Sequence, residues 1–301
     1  MGDLPDIQVS GDLSCYFQKR MIFMTGFRII ASDMDGTLLN DDKTISPENI
    51  ASIRKAEEAG ILFVPATGRP LDGLMNYADA LNLRAPGHYA ICFNGAAVYE
   101  TSSLKLISRV ILTGSEVRIL AKRALDAGLY WQAFSENRGL VYGEDNFATD
   151  LEMRINRIGG SRIDSEDIPD SENFFKFMFL GTEEQLDRAE GDFKDLSRAY
   201  TMARSMYCFL EVMNRDTSKG AALEQLCRHL GLPLAASVAL GDAGNDVHMI
   251  DRAGVGVVMQ NGISSLKERA DYIAPKNTEG GVAHVIEEIL SNRLSPLSGN
   301  Q

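Results

Sequence analysis

Phe27-Arg28-Ile29-Ile30-Ala31-Ser32-Asp33-Met34-Asp35-Gly36-Thr37 is the stretch on which the reading of this 301-residue chain turns. Phe27, Ile29, Ile30 and Ala31 form a near-continuous apolar run, as expected of a strand covered on both faces. The run stops at two carboxylates one residue apart, and Gly36 then lets the backbone turn tightly. Open α/β folds place their ligands at the carboxyl ends of parallel strands. Two carboxylates ~4 Å apart repel by about 4 kcal/mol at an effective dielectric of ~20. Either one is protonated or a cation sits between them. An ionised Asp can act as a nucleophile toward phosphorus, and a protonated one as a general acid. Taken alone, Asp-x-Asp-Gly reads equally well as an acidic turn, so the rest of the chain must decide.

The same grammar recurs outward from this stretch. Ser46-Pro47 reads as a helix start, and Ile50, Ile53 and Ala56 share a face before Gly60 ends the helix. Ile61–Ala66 reads as a second buried strand, which stops at Thr67-Gly68-Arg69-Pro70. A helix is expected from Pro70 to about Leu81. A Thr hydroxyl and amides at its N-terminus would seat a phosphate, or serve only as a cap. Tyr89–Phe93 reads as a third strand, ending at Asn94-Gly95-Ala96. This βαβαβ pattern predicts a doubly wound parallel sheet.

From residue 109 the pattern changes to α-β-β-α-β-α-β-β. It predicts an α+β module with a largely antiparallel sheet, inserted into the first domain. Trp131 and the Phe174–Leu180 run read as its core. The first grammar resumes at Thr217-Ser218-Lys219, a helix start. A lysine in a first helical turn opposes the helix dipole, which tilts Lys219 toward function. Ser237–Leu240 is a further buried strand, ending at Gly241-Asp242-Ala243-Gly244-Asn245-Asp246. Val255–Met259 and Tyr272–Ala274 are two more short strands, and Val282–Leu290 is a closing helix. The expected domains are a core of residues 25–108 and 214–291 and an insert of 109–213. Residues 1–24 read as a loose extension and 292–301 as a tail.

Composition narrows the partners. The net charge is -12, which argues against nucleic acid or an anionic membrane as partner. The four cysteines show no paired spacing and read as reduced thiols. The first twenty residues do not form a signal peptide, so a cytoplasmic protein is expected. No apolar run approaches membrane-spanning length. His88, His229, His248 and His284 are scattered, and no His/Cys cluster favours zinc. Oligomeric state is not legible.

Four strand-end signals now stand in order: Asp33-x-Asp35-Gly36-Thr37, Thr67-Gly68-Arg69, Lys219, and Gly241-Asp242-x-x-Asn245-Asp246. With Asn94-Gly95-Ala96 and an insert of this size, the chain resembles the haloacid dehalogenase (HAD) superfamily. More narrowly, it is similar to the Cof-type, subfamily IIB sugar-phosphatase-like branch. The resemblance covers about residues 27–290. It implies a Rossmann-like core, a C2B-type cap and a magnesium-dependent phosphatase acting on small phosphorylated metabolites. It assigns Asp33 as the nucleophile and Asp35 as the acid and base. Thr67, the Gly68 and Met34 amides, Asn94 and Asn245 would meet phosphate or substrate, and Lys219 would steady Asp33 and the phosphoryl group. Magnesium would be held by Asp33, the Asp35 backbone carbonyl and Asp242, with Asp246 supporting the metal shell or Lys219. Arg69 suits phosphate or a carboxylate, or braces its loop. Ala243-Gly244 departs from the hydroxyl residue and Glu common in relatives, at positions that are not ligands. A phosphomutase of the same fold and a phosphometabolite-binding regulator with little turnover are the alternatives.

Overall fold

The structure, a computed structural model, describes residues 26–295. The expected N-terminal extension, and Cys15 within it, lie outside the described residues.

In chain order the first unit comprises β1 (Ile29–Ser32), α1 (Pro47–Glu58), β2 (Leu62–Pro65), the single turn α2 (Leu71–Leu74), β3 (Tyr89–Cys92), β4 (Ala97–Glu100) and β5 (Lys105–Arg109). The second comprises β6 (Leu112–Thr113), α3 (Gly114–Asp126), β7 (Tyr130–Ser135), β8 (Gly139–Tyr142), α4 (Phe147–Asn156), β9 (Gly160–Arg162), β10 (Asn173–Leu180), α5 (Glu183–Asp192), β11 (Tyr200–Met206) and β12 (Phe209–Asn214). The chain returns with α6 (Lys219–His229), β13 (Ser237–Gly241), α7 (Val247–Arg252), β14 (Val255–Met259), α8 (Ser264–Lys267), β15 (Tyr272–Ala274) and α9 (Gly281–Leu290).

The parallel sheet has the order β15-β14-β13-β1-β2. All four residues of β1 are buried, because it lies between β13 and β2 and is covered on both faces. The register sets Ser32 opposite Leu240 on one side and Pro65 on the other. The residues just beyond these strand ends therefore emerge side by side. They are Asp33, Thr67 and Asp242, brought within a few strand spacings of ~4.8 Å each.

Two local expectations are corrected. β3 does not extend the parallel sheet as a regular strand. It heads a separate antiparallel sheet β3-β4-β5 and is joined to the residues just after β2 by the parallel Ala66–Ile91 bridge and the Thr67 N–H donated to Ile91 O at 2.8 Å. The Ala66 N–H points to β1, at Ser32 O, so the preceding Pro65 is the residue whose N–H would face β3, and proline has none. The helix expected from Pro70 to Leu81 closes after one turn, followed by a 3₁₀ turn at Met75–Tyr77.

The second sheet has the order β11-β12-β10-β7-β8-β9, with β6 also on β10. Its pairs are antiparallel except β8–β9. One face carries Trp131, Phe174, Phe177 and Phe179, packed under Val117 and Leu120 of α3 and Leu186 of α5. Trp131 is core, as expected. The other face carries Phe134, Leu140, Met178 and Leu180, which join the apolar cluster of the parallel unit. Phe93, just after β3, stacks on Phe175 with ring centroids 5.0 Å apart. The second sheet is thus seated over the loops that follow β2 and β3.

Cys92, Cys208 and Cys227 are buried and unpaired. No helix among the described residues is long and apolar enough to cross a membrane.

Candidate active site

Asp33 follows β1, and its N–H continues the ladder to Leu240 O at 2.9 Å. Its carboxylate is nearly buried and contacts Lys219 Nζ through Oδ1. The same ammonium donates to Asp246 Oδ1 at 2.7 Å. Lys219 is fully buried, so this is a closed carboxylate–ammonium–carboxylate array.

Lys219 is placed there by the start of α6, which Ser218 caps by accepting the Ala221 N–H at 3.1 Å. Gly95 makes the approach possible. A Cβ there would lie 2.2 Å from Ser218 O, and its φ of +101° suits only glycine.

Asp246 has no free oxygen. Its Oδ2 accepts the backbone N–H groups of Asp242 and Ala243, at 2.9 and 3.0 Å. It therefore ties the loop after β13 to Lys219. Asp242 points back toward Gly36, and its Oδ1 accepts from Thr37 Oγ1 at 2.7 Å. One oxygen each of Asp33, Asp242 and Asp246 lie within 4.8 Å of one another. Burial pushes the Asp242 carboxyl up to about 6, with the charges of Asp246 and Asp35 adding to it and Thr37 and Lys219 opposing it. Burial also raises Asp33, against the pull of Lys219. The three carboxylates outnumber the one ammonium among them, and their all-oxygen donor set fits a hard divalent cation.

Asp35 turns away from this cluster. Arg69 donates to it twice, Nε to Oδ2 at 2.9 Å and Nη2 to Oδ1 at 2.8 Å, and Lys43 Nζ lies 2.9 Å from Oδ1. Although burial acts upward, Arg69 and then Lys43 hold this carboxyl below its usual range. The two carboxylates of the opening motif thus share no cation, because each has its own. Among the expected metal ligands, Asp35 contributes no side-chain oxygen to the acidic group, and Asp246 enters it with both oxygens already hydrogen-bonded. Arg69 meets a carboxylate.

Thr67 is buried and its Oγ1 accepts the Arg69 N–H at 3.1 Å. The seat expected at a helix N-terminus is therefore a hydroxyl-braced turn, since Pro70 rather than Thr67 precedes the one-turn α2. Met34 packs its side chain into the core, which leaves only its backbone to serve the site. Asn94 sits in the left-handed region at φ 56°, ψ 25°. Its Oδ1 accepts from Asn245 Nδ2 at 3.0 Å, and its Nδ2 donates to Glu211 Oε2 at 3.1 Å. Gly68 O lies 3.4 Å from Lys176 Nζ.

Lys43, Lys176 and Glu211 had no part in the reading of the sequence, and Thr37 entered it only as a member of the opening motif. The signal that finds Lys176 and Glu211 is a lone charge inside an otherwise apolar strand. They pair at 2.8 Å and are almost wholly buried. Lys43 carries no such signal.

A parallel sheet with an inserted second sheet and a carboxylate-rich strand end over a buried lysine defines a phosphoryl-transfer class of hydrolase. The chain belongs to the haloacid dehalogenase-like hydrolases, whose family model matches residues 30–286. With that family comes the reaction class, phosphoric monoester hydrolysis. The Bacillus subtilis (strain 168) protein YxeH is 34% identical over 88% of this chain and 98% of its own length. The 5-amino-6-(5-phospho-D-ribitylamino)uracil phosphatase YcsE of the same strain is 31% identical, over 86% and 94%. A haloacid dehalogenase-like hydrolase from Bacteroides thetaiotaomicron superposes with a TM-score of 0.79 at 28% identity, covering 87% of this chain and 99% of that one.

Proposed function

We propose that the chain is a magnesium-dependent phosphatase that cleaves small phosphomonoesters, of a phosphorylated sugar or similar metabolite, through an aspartyl-phosphate on Asp33. The observation that carries this reading is Lys219 held between Asp33 and Asp246 beside Asp242. Lys219 occupies Asp33 Oδ1, which leaves Oδ2 to attack phosphorus. The P–O bond to the leaving group breaks as the Asp33–P bond forms, and the leaving oxygen takes a proton from Asp35. A water then attacks the aspartyl-phosphate, gives its proton to Asp35, and phosphate is released. Asp35 must leave Arg69 for this, because a carboxylate held by two guanidinium N–H groups stays ionised.

Thr67, the amides of Gly68 and Met34, Lys219 and Asn245 receive the phosphoryl oxygens, and Arg69 and Asn94 stand behind them. Phosphoryl transfer depends mainly on such positioning and charge neutralisation. Magnesium would be held by Asp33, Asp242 and the Asp35 carbonyl, with Asp246 in support, and supplies neutralising charge. Residues 109–213 act as a cap that excludes water and selects the leaving group. The phosphorylated ribitylamino-uracil in the name of the relative YcsE supports a small metabolite as substrate. Buried, unpaired thiols agree with a reducing, cytoplasmic setting.

The test is phosphate release from a panel of phosphorylated metabolites, with magnesium or EDTA, by wild type and Asp33→Asn. Release that needs magnesium and Asp33 supports the reading. Release that survives Asp33→Asn, with wild-type contamination excluded, overturns the covalent route.

A further inference from the structure

We propose that Glu211, on the inserted sheet, is a positioning residue that sets the side-chain orientation of Asn245 through Asn94. The inference rests on the proposed function for the role of Asn245 at phosphate, but the hydrogen-bond relay itself does not.

The relay runs in one direction. Lys176 Nζ donates to Glu211 Oε1 at 2.8 Å, Asn94 Nδ2 donates to Glu211 Oε2 at 3.1 Å, and Asn245 Nδ2 donates to Asn94 Oδ1 at 3.0 Å. An ionised carboxylate only accepts. Asn94 must therefore turn its NH₂ to Glu211 and its carbonyl to Asn245. Asn245 must in turn spend one N–H on Asn94, which leaves its other N–H to face the site. A neutral amide at residue 211 would remove this polarity, because it could donate to Asn94 Oδ1 and let the Asn94 amide turn over.

Three observations keep the relay rigid. Glu211 and Lys176 are 4% and 2% exposed, so water does not compete for them. Burial disfavours the ammonium of Lys176, yet Glu211 and Glu152 raise its pKa above the ordinary value, so it stays charged and keeps its donor on Glu211 Oε1. Asn94 is pinned through its backbone, its N–H donating to Thr67 O at 2.9 Å.

The relay also crosses between the two sheets. Glu211 is on β12 and Lys176 on β10, whereas Asn94, Asn245 and Gly68 belong to the parallel unit. Lys176 Nζ reaches Gly68 O at 3.4 Å. Seating of the second sheet is thereby tied to the side-chain orientation of Asn245 on the loop after β13.

The experiment is a double-mutant cycle of Glu211→Gln and Asn245→Ala in the full chain with saturating magnesium, read as KM and kcat for p-nitrophenyl phosphate. A second readout is the Asn245 side-chain NH₂ resonance, assigned by its loss in Asn245→Ala. Glu211→Gln is isosteric, and a thermal melt confirms that it folds. Each single change should raise KM about tenfold, the worth of one hydrogen bond to a charged group. The double variant should raise it no further, and the Asn245 NH₂ resonance should move in Glu211→Gln. Additive effects, or an unmoved resonance, overturn the relay. If wild type turns over no phosphomonoester, the proposed function fails and the resonance alone decides the relay.

Discussion

Arg69 grips Asp35 with both arms of its guanidinium, at 2.9 and 2.8 Å. In this arrangement Asp35 is an anion parked beside its partner, and the proposed reaction requires it to move and take up a proton. The Asp35→Asn variant should therefore lose turnover of an alkyl phosphate by ~100–10,000-fold, the usual worth of a general acid–base. p-Nitrophenyl phosphate has a leaving group that needs no proton, so the first step should persist. The expected result is a stoichiometric burst of nitrophenol followed by slow turnover, measured by stopped flow. A uniform loss with no burst would remove Asp35 from leaving-group protonation.

Lys219 should be as important to the fold as to the reaction. Its loss leaves Asp33 and Asp246 buried without a counter-charge. Breaking a buried ion pair from one side costs about 3–5 kcal/mol. Lys219→Met should lower the urea midpoint accordingly and abolish turnover. An unchanged midpoint would show that the two aspartates do not need the lysine.

Gly36 turns the chain at φ +88°, and a Cβ there would meet Asp242 Oδ2 at 2.4 Å. Gly36→Ala adds strain of ~1–2 kcal/mol in the left-handed backbone and displaces Asp242. The magnesium concentration for half-maximal activity should rise by about 10–100-fold, the range seen when a ligand loses its support. A magnesium titration of activity checks this.

Glu152 is buried among Lys176, Glu211 and Arg69, with Asn156 Nδ2 donating to it at 3.0 Å. Burial raises its pKa, although Lys176 and Arg69 pull the other way and Glu211 adds to the rise. A raised carboxyl contributes stability below its ordinary range and loses it as pH climbs through the folded value. Glu152→Gln keeps an acceptor for Asn156 and carries no charge. Its melting temperature should exceed that of wild type by ~2–4 °C at pH 8, with the gap closing toward pH 4. Melting curves at the two pH values decide it, and a gap independent of pH would mean that Lys176 and Arg69 fully offset the burial.

Much of the core was legible because its signals are local. Buried strands read as apolar runs at β1, β2 and β13, and each stops just before residues that form the site. The order of the strand-end motifs carried the resemblance through which Asp33, Thr67, Lys219 and Asp242 were expected together. Lys219 stood out because a lysine opening a helix is electrostatically wrong there. Less was legible where pairing decides the structure. β4 and β5 were not read as strands, and neither was β9, whose three residues are all exposed. β3 runs parallel beside β2 but joins it through a single bridge, next to Pro65, which has no N–H to give.

By itself the sequence determined which carboxylates stand at the end of β1 and which lysine answers them. Burial periodicity and strand-end composition are written in consecutive residues. Only the tertiary structure decided who pairs with whom. Asp35 meets Arg69 across 34 residues of chain, and Asn94 meets Glu211 across 117. Each of these charged or amide groups had several chemically suitable partners, and no spacing rule links them. Packing the second sheet onto the loops of the first made the choice, because a buried polar group must take the partner that the fold brings within reach.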